Sequence, residues 1–177
     1  MAFKHRKIEH IYETVSKISK KLDIYKKGKH LIERSKNKLN KLRDKTRKFK
    51  EKRALVIIGR QVNTLENIYI AGKDEFISQI LSSINLKHAC SGNIDYPKVS
   101  VEVIIKMNPD IIVEVLPNLV EKYGKKEIKN DWKEIKYLNA VKNNKVYVMG
   151  KDFRLIPSLE IIEAAEKIYK KIYGNKN

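Results

Sequence analysis

Ile8, Ile11, Tyr12, Val15, Ile18 and Leu22 recur at steps of three, one, three, three and four residues, the spacing of one helical face, and predict an amphipathic helix over residues 7–22. Asp23 is suited to cap the start of a second helix. That helix is predicted from about Ile24 to Lys52, with a narrow stripe of Leu31, Ser35, Leu39, Leu42, Thr46 and Phe49. At roughly 1.5 Å per residue it would reach on the order of 40 Å. It is too long and too basic to be buried on all sides, so it has to lie along another part of the molecule, or between two.

From Ala54 the pattern changes. ALVIIG is a short unbroken apolar run closed by glycine, the mark of a strand covered on both faces. An irregular loop, GRQVNTLENIYIAG, leads to a helix predicted over residues 73–84, with Phe76, Ile77, Ile80, Leu81 and Ile84 on its inner side. LKHAC reads as a short strand. Ser100 can cap a short helix, VEVIIKM, that Asn108-Pro109 ends, and DIIVEV is a second buried strand. In the polar segment that follows, Trp132 shares helical spacing with Ile128 and Ile135 and reads as core. KVYVMG, residues 145–150, is a further strand. Pro157 suits the first turn of a last helix, with Leu159, Ile162, Ala165, Ile168 and Ile172 inside and Gly174 at its end.

Strands alternating with helices of this size predict an α/β domain of three layers, α/β/α, with a mostly parallel sheet. In such sheets ligands meet the loops at the carboxyl ends of the strands. The chain divides into a helical arm, residues 1–52, and an α/β lobe, residues 53–177, and its length suffices for one domain with a proper core. No apolar run is long enough for a membrane-spanning helix. One cysteine, Cys90, rules out an internal disulfide framework. The opening MAFKHRKIEH is basic with no apolar stretch behind it, so no secretory signal is read there, and a chain expressed as written is expected to stay in the cytoplasm.

Charge sharpens the division. The formal net charge is +18, and residues 1–52 hold nineteen Lys and Arg against six Asp and Glu, which leaves +5 on the remainder. A basic arm can meet nucleic acid or an anionic surface, or it can simply be a solvated helix face. Its aromatics, Tyr12, Tyr25 and Phe49, fall on apolar stripes rather than between the charges as stacking platforms do, which disfavours nucleic acid.

Motifs for catalysis are missing. AGK at 71–73 has the form of the tail of a phosphate-cradling loop, but Asp74 stands where Ser or Thr must reach magnesium and Asn67 where the first glycine belongs. GRQVNT lacks the glycines of a dinucleotide-binding turn. His5, His10, His30 and His88 make no metal-ligand spacing, and His88 with Cys90 supplies only two ligands, so a structural place is the plainer reading of His88. There is no nucleophile elbow and no paired-carboxylate site. By elimination the sequence reads as a binding or interaction module, not an enzyme, with no cofactor or bound metal implied.

Taken in order, the segments resemble a known family. IYETVSKISKKLDIYKKGKHLIERSKNKL is similar to the helix and long spine helix that join the two lobes of class III substrate-binding proteins, which serve ABC importers of ferric siderophores, haem and cobalamin. ALVIIG with IYIAGKDEFISQIL resembles the first strand and helix of the carboxyl-terminal lobe. YPKVSVEVIIKMNPDIIVEV resembles the family's most recognisable stretch, and Trp132, LNAVKNNKVYVM and a closing helix complete the order.

The resemblance implies a lobe that binds a metal-chelate ligand and docks on an ABC permease, outside the cytoplasm. It puts Tyr96, the aromatic before proline, against the ligand, where a ring offers a large rigid face with a polar edge. It gives Glu102 to the permease, although a carboxylate in a first helical turn is also plain helix chemistry. Two further strand-end loops are expected on the same edge: Arg60, Gln61 and Asn63, and Asp152, Phe153 and Arg154. The two arginines would suit an anionic chelate, unless they are solvated surface groups. The amino-terminal lobe of the family has no counterpart in the sequence. Either a missing lobe or self-association through residues 8–49 is therefore expected to cover the arm.

Overall fold

The computed structural model describes residues 7–72, 75–90, 92, 94–150, 152–153 and 155–174. Helix α1 (Ile8–Lys21) and helix α2 (Tyr25–Thr46) run antiparallel, with Tyr12 Oη and Ser35 Oγ 2.9 Å apart. They pack tightly at Gly28, where any Cβ would collide with the Ser19 side chain. Asp23 does not cap α2: it adopts a left-handed backbone (φ 54°) that turns the chain, and the cap position falls to Ile24. α2 also ends earlier than predicted, at Thr46, because Lys52 already opens the sheet. Asn85 Nδ2 donates to the Phe49 carbonyl (2.7 Å) and fastens that turn.

Strand β1 (Lys52–Gly59) is central. It pairs in parallel with β5 (Ile111–Glu114) on one side and with β3 (Leu86–His88) along the first half of the other. The second half of that side takes β2 (Ile68–Ile70) in antiparallel register, and β2 in turn pairs antiparallel with β4 (Lys98–Val99). Strand β6 (Val146–Val148) extends the sheet in parallel beyond β5. The segment read as an irregular loop therefore contains an antiparallel strand. The Asn-Pro-Asp break does more than stop α4 (Val101–Met107): Asn108 caps it at φ 41° and accepts from the Asn139 N–H, while Asp110 Oδ2 accepts from the Arg53 N–H at 2.9 Å.

Side chains alternate across the strands and build two cores. Ala54, Val56, Ile111 and Val113 face a layer made of α1, α2, α3 (Glu75–Ser82) and α7 (Ile161–Tyr173). Leu55, Ile57 and Ile112 face α4, a 3-10 turn (Asp131–Glu134) and α6 (Asn139–Lys142). This is the three-layer α/β/α architecture with a mostly parallel sheet. Ile8, Ile11, Leu39 and Leu42 of the arm belong to the same core as Phe76 and Ile80, each buried side chain contributing about 1.5–3 kcal/mol. Trp132 is core, 1% exposed.

Two further helices differ from expectation. The polar segment after β5 forms α5 (Pro117–Asn130), kinked at Gly124. The last helix starts at Ile161 rather than at Pro157, because Ser158 Oγ takes the Glu160 N–H (3.2 Å) and closes a separate turn first. Tyr173 locks the end of α7: its ring stacks on Phe49 at 4.6 Å, its hydroxyl donates to the Ile84 carbonyl, and burial pushes its pKa up to about 12.

Candidate functional site

A groove of about 330 Å³ opens at the carboxyl edge of the parallel strands, where open α/β sheets bind ligands. Its floor is Ile58 near the end of β1 and Val115 just past β5. Phe76 from the first turn of α3 makes one wall, and Phe153 and Ile156, from the segment after β6, make another. Tyr96 stands at the rim, 55% exposed. The remaining lining is aliphatic or proline, including Pro157.

Gly72 sets the Tyr96 loop. Its N–H donates to the Asp95 carbonyl at 2.6 Å, and the Ile70 N–H reaches the Pro97 carbonyl at 3.1 Å. A Cβ at residue 72 would collide with the Ile94 carbonyl and stand 2.7 Å from Pro97 Cδ. The two segments touch backbone to backbone, as only glycine permits.

Of the expected ligand residues, Tyr96 and Phe153 line one groove, and Arg154 lies outside the described residues. Gln61 and Asn63 are exposed but do not line it. Gln61 Oε1 accepts from Asn67 Nδ2, and Asn63, in a left-handed backbone, gives its N–H to Asp131 Oδ2. Arg60 requires a correction. Its side chain is 0% exposed and faces the opposite side of the sheet, with Nε 2.6 Å from Glu114 Oε1 and Nη1 2.5 Å from Asp131 Oδ2. Nη1 also donates to the Gln61 and Thr64 carbonyls, Nη2 donates to the Ile128 carbonyl, and the guanidinium lies over the Trp132 ring. It is a buried structural group, not a ligand arginine.

The electrostatics fit that reading. Burial alone would lower the Arg60 pKa, but Glu114 and Asp131 hold it above the ordinary arginine value. Burial pushes the Glu114 carboxyl up, against the pull of Arg60. Glu114 Oε2 and Trp132 Nε1 are both buried without a well-formed hydrogen bond, although the indole still favours the charged carboxylate. Glu102 is solvent-facing in the first turn of α4, and a hydrogen bond from Ser100 holds its carboxyl below the ordinary range.

The groove walls Phe76, Ile77, Val115 and Ile156 were absent from the expected site. Phe76 and Ile77 were read only as the inner face of a helix and Val115 only as part of a buried strand, while Ile156 carried no signal beyond being apolar. Among the described residues no group of three or more His, Cys, Asp or Glu gathers to hold a metal, and no helix is long and apolar enough to cross a membrane.

This arrangement is a layered α/β lobe with a groove at the strand ends, and the comparisons give its family. The family profile described as periplasmic binding protein matches residues 1–153. The chain belongs to that family, the class III substrate-binding proteins of ABC importers. It is 29% identical over 167 residues to YvrC of Bacillus subtilis (strain 168), an uncharacterized ABC transporter substrate-binding lipoprotein, covering 92% of this chain and 50% of that one. It is 27% identical over 169 residues to the Fe(3+)-citrate-binding protein YfmC of the same organism, with the same coverage. A possible iron-binding (periplasmic solute-binding) protein of Staphylococcus epidermidis ATCC 12228 superposes with a TM-score of 0.80 at 26% identity, over 96% of this chain and 64% of that one. The chain spans about half the length of the curated relatives it matches.

Proposed function

We propose that residues 53–177 are the carboxyl-terminal lobe of an ABC-importer substrate-binding protein for a metal chelate, of the ferric siderophore, haem or cobalamin kind, and that residues 1–52 carry its spine helix. The observation that carries this is the groove at the strand carboxyl edge, with Tyr96 exposed at its rim. The lipoprotein relative supports work on the outer side of the membrane. Glu102, exposed and held ionised, is the lobe's contact for a permease arginine.

A single lobe offers half a cleft, and closure by another surface is what buries most of a ligand. The corner of the helical pair, where Ile18, Leu22, Ile24 and Tyr25 are 42–63% exposed, gives a second lobe or a second copy apolar surface to cover. Light scattering of the chain at high micromolar concentration is expected to show dimers that Leu22→Lys disperses. A monomer at that concentration rules out self-association.

The binding role is tested by titrating the chain with ferric siderophores, haem and cobalamin while following tyrosine and tryptophan fluorescence. Saturable quenching by one class is expected. Flat traces across all of them overturn the reading.

A further inference from the structure

The lining of the groove narrows the ligand. We infer that it takes the apolar face of a planar tetrapyrrole macrocycle and holds it by ring-face contact rather than by a bond to its metal, an inference that rests on the metal-chelate reading above. Every described lining side chain is apolar except for the hydroxyl of Tyr96, and none carries a charge. Of the two arginines expected to favour an anionic chelate, Arg60 is sealed on the other side of the sheet by Glu114 and Asp131, and Arg154 lies outside the described residues.

Ferric citrate and ferric hydroxamates present oxygen atoms outward. Set against this wall, those oxygens would lose water without gaining donors, a loss of about 1–3 kcal/mol for each unpaired group. A macrocycle face has no such penalty. It gains dispersion contacts with Ile58, Val115 and Ile156, and offset stacking with the exposed ring of Tyr96. The cavity, about 330 Å³, is at the low end of ligand sites, as suits contact with one face while a second surface covers the other. The described lining also contains no His, Cys or Met; its one group able to bond a haem iron is the Tyr96 hydroxyl, and a ring stacked flat on the macrocycle aims that oxygen along the face rather than at the metal.

The test titrates the full chain with ferric protoporphyrin IX, metal-free protoporphyrin IX, ferric citrate and a ferric trihydroxamate, following porphyrin absorbance and tyrosine fluorescence. The two porphyrins are expected to bind within about threefold of each other, since the metal adds little. Tyr96→Ala is expected to weaken both by about tenfold, and Ile156→Asp, which puts a charge in the wall, by more, with melting curves unchanged for both exposed positions. Citrate and hydroxamate chelates should not compete. If an oxygen-rich chelate binds and the porphyrins do not, the metal-chelate reading stands and the macrocycle falls. Iron porphyrin binding about a hundredfold more tightly than the metal-free ring means a metal bond and overturns face recognition. Porphyrin affinity unmoved by both substitutions means adsorption elsewhere and overturns it too. No binding by any of these probes overturns face recognition, and the metal-chelate reading falls with it only if cobalamin also gives a flat trace.

Discussion

The loop after β1 and the loop that carries Tyr96 were expected to do the same work at one edge of the sheet, yet they are built in opposite ways. The first turns its arginine inward, where Glu114 of β5 and Asp131 of the 3-10 turn claim the guanidinium. The second leaves its aromatic facing solvent and secures itself through backbone hydrogen bonds to Ile70 and Gly72. A charged side chain near a strand end thus serves a ligand only where the fold has not already supplied its counter-charge. A ring that stays 55% exposed at the rim of a groove keeps most of its face open to a ligand.

The largest effect should come from breaking the inward loop. Arg60→Met keeps the length of the side chain but leaves Glu114 and Asp131 without their partner, which costs about 3–5 kcal/mol. At about 2–4 °C per kcal/mol for a chain of this size, calorimetry should show a fall in Tm of roughly 10 °C. A melting point within a degree of the parent would show that the network is idle. The sign of the pH dependence follows from the raised Glu114 carboxyl. Without Arg60 it rises further, so the folded variant keeps a proton that the unfolded chain releases above about pH 4.3. Stability of the variant then falls as pH rises from there, and its deficit should be larger at pH 7 than at pH 5. Adding Glu114→Gln should remove most of that difference.

A smaller effect is expected from the other loop. Gly72→Ala drives a methyl group into the Ile94 carbonyl and against Pro97, so the backbone must separate. Overpacking of this kind costs about 1–3 kcal/mol, and the displaced Tyr96 should weaken ligand binding beyond what the loss of stability explains. Unchanged melting together with unchanged titration would mean that the loop is not held there.

How far these features could be read from the residues depends on the range of the interaction. The strands ALVIIG and DIIVEV, the inner face of α3 and the core position of Trp132 rest on periodicity, a local property, and all emerged. The antiparallel strand Ile68–Ile70 did not, because three residues without a turn signal gain their identity only from pairing with β1 and β4. Asp23 and Pro157 carry the right chemistry for caps, but a left-handed turn and the Ser158 hydrogen bond forestall them. Tyr96 was singled out only by the family resemblance of its aromatic-proline motif, and the fold sets it at the rim of the groove. The role of Arg60 was hidden, since its partners lie 54 and 71 residues away. Phe76 and Phe153 were visible as apolar residues, but only the fold sets them on one groove.

The smallest effect completes the comparison. Among the described residues Gln61 is exposed, shares its side chain only with Asn67, and is not part of the groove lining. Gln61→Ala should change stability by no more than about 0.5 kcal/mol, as for surface positions without a special role, and should leave ligand titrations superimposable on the parent. The two halves of that expectation separate the loops. If binding weakens while the melting curve stays put, the β1 loop reaches the ligand after all, through a polar group at its surface. The inward turn of Arg60 would then shape a contact one residue further on. If neither changes, recognition belongs to the aromatic loop and the wall behind it, and the β1 loop serves the sheet alone.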